Sequence, residues 1–302
     1  MVELMRMAIG ALLNIEIWIM LILNVFVLSC IKKGKLYSGK EKCVYLLSTS
    51  NICCDIAQLA LHAFYIGPSI IAGKWFFDGE KSLGITIAGV LFIEFWIFAS
   101  LIQMLFSTNR LIIICFPWSS LFSSRRKTFL YIVITLIIAT GLTLRHQVFT
   151  PCCRTIPDQR YFGYSILNVD NVENHSYLLG LILDAGVSVY SGISYIAMIV
   201  YARIKGVSRN SGAFKREIRC AILFFIMFTT YTVIWMTFYV YPLLNIGITE
   251  AYVITPILLV FNSGINAIIY LTLNRDVSVS DYFKMRNIVD KLNLLHREGS
   301  AL

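Results

Sequence analysis

Polar side chains set inside long apolar runs are costly, and so they mark where chemistry or specific contact is concentrated. The stretch "NSGINAIIY" places Asn262, Ser263, Asn266 and Tyr270 in one such run; Asp55 is the lone acid of a second, and a third holds Asn24. In "FSTNRLIIICFPW", Arg110 closes an apolar run, with Cys115 and Pro117 after it; Glu217 is the one acid of "FKREIRCAIL". Groups of these types can hydrogen-bond between helices or form an ion pair, but they do not make a catalytic set. The chain has no His-Glu-X-X-His, no Gly-X-Ser-X-Gly, and four scattered histidines; Glu16, Asp55, Glu94 and Asp184 are each single in their runs. No enzyme, metal site or cofactor is expected.

The elements that must position these groups follow from composition. With 58% hydrophobic residues, 14% charged residues and a mean hydropathy of +0.73, the 302 residues do not describe a soluble protein. Windows almost free of charge recur seven times, over about 8–31, 43–66, 83–107, 128–149, 176–202, 220–244 and 251–273. A membrane-crossing helix needs ~20 apolar residues, and backbone facing lipid must satisfy itself, so each window predicts a spanning helix. The expected fold is an all-α, seven-transmembrane bundle forming one domain over 1–302, with a tail from 274 that includes a short amphipathic helix.

Nineteen of the 26 Lys and Arg fall in the connections 32–42, 125–127 and 203–219 and in the tail. The positive-inside rule then puts the N-terminus outside and the tail in the cytoplasm. The net charge of +9 is thus a topology signal, not a nucleic-acid footprint. The only Asn-X-Ser/Thr sequon, at Asn174, falls on the outer side, as glycosylation requires. The eight cysteines form no disulfide framework; Cys152 and Cys153 alone face an oxidising side, and their state is left open.

Depth counting adds one pair. Glu94 lies ~24 Å above Arg110, and Arg145 ~25 Å above the start of the fourth span, at 1.5 Å per residue. An ion pair between Glu94 and Arg145 is expected, with Asp184 or His146 as competing partners; the alternative is a protonated Glu94 and an Arg145 that snorkels to the surface.

The ordered motifs resemble those of the rhodopsin-like G-protein-coupled receptors. Asn109-Arg110-Leu111 with Cys115 and Pro117 stands where that family has acid-Arg-aromatic, Cys and Pro. Asn262-Ser263-Gly264-Ile265-Asn266-Ala267-Ile268-Ile269-Tyr270 stands for Asn-Ser-X-X-Asn-Pro-X-X-Tyr, and Tyr231 to Thr237 for Phe-X-X-Cys-Trp-X-Pro. Asn24, Asp55, Glu217 and Trp75-Phe76-Phe77 also fall at family positions. The departures are Asn109 for the acid, Thr237 and Ala267 for two prolines, no Trp in the fourth span, and no Cys between Cys54 and Cys115. Together with "FTPCCRTIPDQRYFGYSI" and "NAIIYLTLNRDV", these departures are similar to the nematode serpentine chemoreceptors, class Srx.

The resemblance implies a multi-pass plasma-membrane receptor in the cilium of a chemosensory neuron, partnered by a heterotrimeric G protein and a small-molecule ligand. It assigns Arg110, Glu217 and Tyr270 to coupling and a latch, although on its residues alone Arg110 could equally snorkel. Asn24, Asp55, Asn262, Ser263 and Asn266 would form a central polar cluster, hydrogen-bonded and water-filled rather than holding sodium tightly. A ligand pocket in the outer half would use His62, Phe92, Trp96, Trp235, Phe238, Tyr239 and Tyr252; the alternative is that these only pack helices. Phe92 stands where amine receptors carry an acid, so an amine anchored at that position is not expected. The alternative function is a seven-helix transporter or channel for a small solute or ion. Against it, the spans do not divide into two repeats. A retinal protein is excluded because no lysine lies between Lys215 and Lys284.

Overall fold

The computed structural model describes residues 2–34, 42–116, 118–122, 124–149, 153–167, 175–204, 212–243 and 249–273. Eight α-helices account for most of them: α1 Val2–Lys33, α2 Lys42–Leu61, α3 Gly67–Ala72, α4 Leu83–Cys115, α5 Arg125–Thr143, α6 His175–Ile204, α7 Gly212–Leu243 and α8 Ile254–Leu273. Six stretches are long and apolar enough to cross a membrane, and α7 contains a shorter apolar one, Phe225–Val240. The amphipathic tail helix, the sequon at Asn174 and Cys152 lie outside the described residues.

Local chemistry sets where the helices begin and bend. Ser82, in extended conformation, accepts from the Ile85 amide and starts α4; Ser124 does the same for the Lys127 amide ahead of α5. A π turn, His62–Ile66, joins α2 to α3 without ending the helix, so the second span runs on to Ala72, six residues past the expected limit. Gly73 ends it in the left-handed region at φ 63°, which glycine takes without strain. A second π turn, Leu144–Val148, extends α5.

The fourth helix is the axis of the packing. It touches α2, α5, α6 and α7, and buries Phe92, Ile97, Ile102 and Phe106 in the main core. Smaller clusters fasten α1 to α2, α3 and α8. The outward faces of α1, α5 and α6 expose Leu12, Ile19, Ile137, Ile182 and Ile193, as helices against lipid do.

One element was absent from the sequence reading. Between the fourth and fifth spans, β1 (Arg154–Asp158) pairs antiparallel with β2 (Gly163–Leu167), Ile156 opposite Ser165. A single turn over Gln159–Tyr161, with Phe162 left-handed at φ 59°, closes the hairpin. Both strands are edges, so Pro157 is tolerated. The hairpin sits on one end of the bundle with β1 against α4; a Cβ at Gly89 would overlap the Thr155 carbonyl oxygen. Cys153, just ahead of β1, is disulfide-bonded, with its backbone at φ 73°.

The close approach at Gly89 yields a direct test. Gly89→Ala should force α4 and β1 apart and cost about 1–3 kcal/mol, a typical overpacking penalty. Thermal unfolding of purified protein, compared with Gly141→Ala where the added Cβ meets nothing within 4 Å, measures it.

Candidate functional site

Two cavities open into the hairpin end of the bundle. The outer one, ≈ 500 Å³, is walled by the hairpin, by Phe92 of α4, by Phe238 of α7, and by Tyr252 and Thr255 ahead of and within α8. The inner one, ≈ 50 Å³, lies between α4, α6 and α7 and reaches Trp96, Asp184, Trp235 and Tyr239. Phe92, Ile166, Tyr177, Phe238, Thr255 and Leu259 line both, so the two meet at a shared neck. A space of this size, mainly aromatic and aliphatic with few polar groups, is what small-molecule sites are built from.

Phe92, Trp96, Trp235, Phe238, Tyr239 and Tyr252 all stand on these walls. His62 does not. Its place in the π turn turns it behind Phe92 and Tyr164, ring centroids 6.2 and 5.5 Å away, and its Nδ1 donates to the Gln58 carbonyl at 2.6 Å.

The hairpin shapes the mouth. Tyr164 stacks on Phe92 at 3.5 Å between centroids and 15° between planes. Fully buried Asp158 accepts from Arg160 Nε and Nη2 and from Ser165 Oγ, while Arg160 Nη2 also reaches Glu80 at 2.8 Å. The Asp158 hydrogen bonds raise the Arg160 pKa further above its ordinary value, so the guanidinium stays charged. It also lies 5.7 Å over the Trp75 ring.

Asp184 is the floor of the inner cavity and is 2% exposed. Trp96 Nε1 donates to both its oxygens at 3.1 and 3.3 Å, and Tyr231 OH donates to Oδ1 at 2.6 Å. The Tyr239 hydroxyl is a third donor group. Gly180, one turn away, leaves room for that hydroxyl. Trp235 Nε1 donates instead to Ser188 Oγ at 2.8 Å. Asp184 was expected only as a lone acid and as a competing partner in the Glu94–Arg145 pair; its partners are instead on α4 and α7.

Deeper in the bundle the polar residues converge. Asp55 Oδ2 accepts from Asn266 Nδ2 at 2.7 Å and from Asn51 Nδ2 at 3.1 Å. Asn24 Nδ2 donates to the Ser263 carbonyl at 2.9 Å; Ser263 Oγ donates to Gln58 Oε1 at 3.4 Å. Asn262, half-buried, accepts from Thr230 of α7 at 3.1 Å. A cavity of ≈ 30 Å³ touches Asn51, Asp55, Gln58, Asn262, Asn266 and Ala99. Asn51 and Gln58 were not expected, yet their spacing of four and three from Asp55 puts them on its helix face.

At the opposite end, Arg110 does not close its helix. The fourth helix continues to Cys115, which leaves Arg110 more than a turn inside and 1% exposed. Asn109 beside it is fully buried, with no hydrogen-bond partner for its amide among the described residues. Tyr270 bonds Ser48 of α2 through their hydroxyls. Glu217 is in α7, but its side chain is outside the described residues.

The expected Glu94–Arg145 ion pair does not form. Glu94 accepts from Thr140 Oγ1 at 2.9 Å, and the salt bridges among the described residues are those of Arg160. Counting started the fourth span at Thr128, whereas α5 begins at Arg125, so Thr140 is the residue level with Glu94. Arg145 lies in the π turn farther out and is exposed.

The family model for the serpentine-type 7TM GPCR chemoreceptor Srx matches residues 19–274, most of the chain. The chain belongs to that family. No match is found among curated proteins. The Srx chemoreceptor is a multi-pass membrane protein of a receptor family, not an enzyme family, and a transporter or channel is not favoured.

The buried polar contacts of this Srx receptor carry a stability prediction. Asn266→Ala removes the donor that ties α8 to Asp55 and should cost about 1–3 kcal/mol. Asn262→Ala, at a half-buried site, should cost less, and melting of both variants in one detergent checks the order.

Proposed function

We propose that this Srx receptor binds a small molecule in the outer half of the bundle and activates a heterotrimeric G protein. The observation that carries the reading is the ≈ 500 Å³ aromatic-walled cavity roofed by the hairpin. The distribution of Lys and Arg supports an N-terminus and hairpin outside, with the coupling surface in the cytoplasm. A chemosensory cilium is the corresponding site of action.

Arg110 and Glu217 are the latch of the resting state in this reading, and Tyr270 holds the seventh span to the second nearby. The central cluster is a hydrogen-bonded site suited to water. Gln58 Nε2 and Asn266 Oδ1 have no protein partner among the described residues and border a cavity large enough for one or two waters. Tight sodium binding is disfavoured because Ala99 lines the cavity where a hydroxyl would be needed, and Ser100 Oγ is turned to the Trp96 carbonyl.

Expression in reporter cells with a G-protein readout, against a panel of small metabolites, tests the function. Glu217→Gln should raise ligand-free signalling several-fold, and Arg110→Ala should abolish coupling with surface expression largely intact. Unchanged basal signalling in Glu217→Gln would remove the latch. Melting temperatures in sodium and choline chloride should agree; a sodium-dependent rise that vanishes in Asp55→Asn would overturn the water-filled cluster.

A further inference from the structure

We propose that the ligand is an organic cation, a protonated amine on a small apolar body, and that Asp184 is its anchor. The proposal rests on the reading of the cavities as a ligand site and deepens it by naming the chemical class. Asp184 is the carboxylate at the inner end of the path, buried and yet on the cavity wall. Its three donor groups, on Trp96, Tyr231 and Tyr239, are all neutral. Among the described residues no Lys or Arg pairs with it. His146 faces the same cavity, but its Nδ1 takes the Gln147 amide at 3.0 Å, an arrangement of the neutral ring. A carboxylate in a low-dielectric site gains most from a partner that is itself charged, and a bound ammonium supplies it.

The surrounding surfaces favour the same class. The cavity that reaches Asp184 is lined by Phe92, Trp96, Trp235, Phe238 and Tyr239, so an incoming cation passes among aromatic rings on its way to the carboxylate. The neck through Phe92, Phe238 and Leu259 is apolar and suits the body of the molecule. Of the residues that line the outer cavity, the charged ones are Asp158 and Arg160, and they pair with each other. The anchor is on the fifth span, which is compatible with an apolar Phe92 on the fourth helix.

The test uses the full chain in lipid nanodiscs and three probes that share one body: 2-phenylethylamine, 2-phenylethanol and 3-phenylpropionate. Affinity is read by thermal shift and by calorimetric titration. The amine should bind wild type at least about tenfold more tightly than the alcohol, with the carboxylate weakest. Asp184→Asn should bring the ratio of amine to alcohol affinity down to about one, and Asp184→Glu should keep the preference. If Asp184→Asn does not fold, the wild-type comparison and Asp184→Glu decide. Equal or tighter binding of the alcohol to wild type, or a preference that survives in Asp184→Asn, overturns the cation proposal and leaves the ligand site standing. Binding of none of the three removes both.

Discussion

The carboxylate of Asp184 is the contact on which the geometry of the cavity end depends. It gathers Trp96 from α4 and Tyr231 and Tyr239 from α7, so one side chain of α6 fixes the rotation of two neighbouring helices. Buried at the deep end of the cavity, each of these donors would be costly to leave unmatched. The walls of the inner cavity are therefore set by hydrogen bonds at their deep end and by aromatic packing toward the neck. This is a stiffer arrangement than packing alone, because a hydrogen bond loses its energy within a small displacement or rotation.

The hairpin completes the site from the other side. Its position relies on a missing side chain, at Gly89, and on an aromatic stack, Tyr164 on Phe92. Arg160 then ties the hairpin turn to Glu80 and lies over Trp75, both in the connection between α3 and α4, so two segments distant in sequence share one cation. Phe92 is thus shared between the hairpin and the helical wall. Any motion of the hairpin must break or slide that stack.

How much of this was legible in the sequence differs by physical cause. Spans were legible because charge depletion over ~20 residues has no other common explanation. Depth and face along a helix were partly legible too: Asp55 and Asn266 share one small cavity, and Phe92, Trp96 and Phe238 line the cavities of the hairpin end. What failed depended on helix ends and on irregular turns. An earlier start to α5 put Thr140, not Arg145, beside Glu94, and a π turn moved His62 off the cavity wall. The later end of α4 buried Arg110 within the helix. The strands of the hairpin are five residues each and alternate weakly, so they left little periodic signal. Asp184 was visible as an acid, but its partners depend on the rotations of three helices, which no single-helix pattern encodes.

The two polar centres of the bundle are separated by one stacked pair. Trp96 lines both the inner cavity and the small polar cavity at Asp55, and Tyr231 lines the latter while its hydroxyl reaches Asp184. The rings of Trp96 and Tyr231 lie 5.4 Å apart and 29° from parallel, so they form the partition between the two spaces. Both rings end in donors held by the same carboxylate. A group that draws Asp184 toward the cavity must therefore pull on the partition. The other face of that partition borders Asn262 and Asn266 on α8 and Asp55 on α2. Coupling between the two centres needs a physical element that both can bias, and this partition, built from α4 and α7, borders α2, α6 and α8.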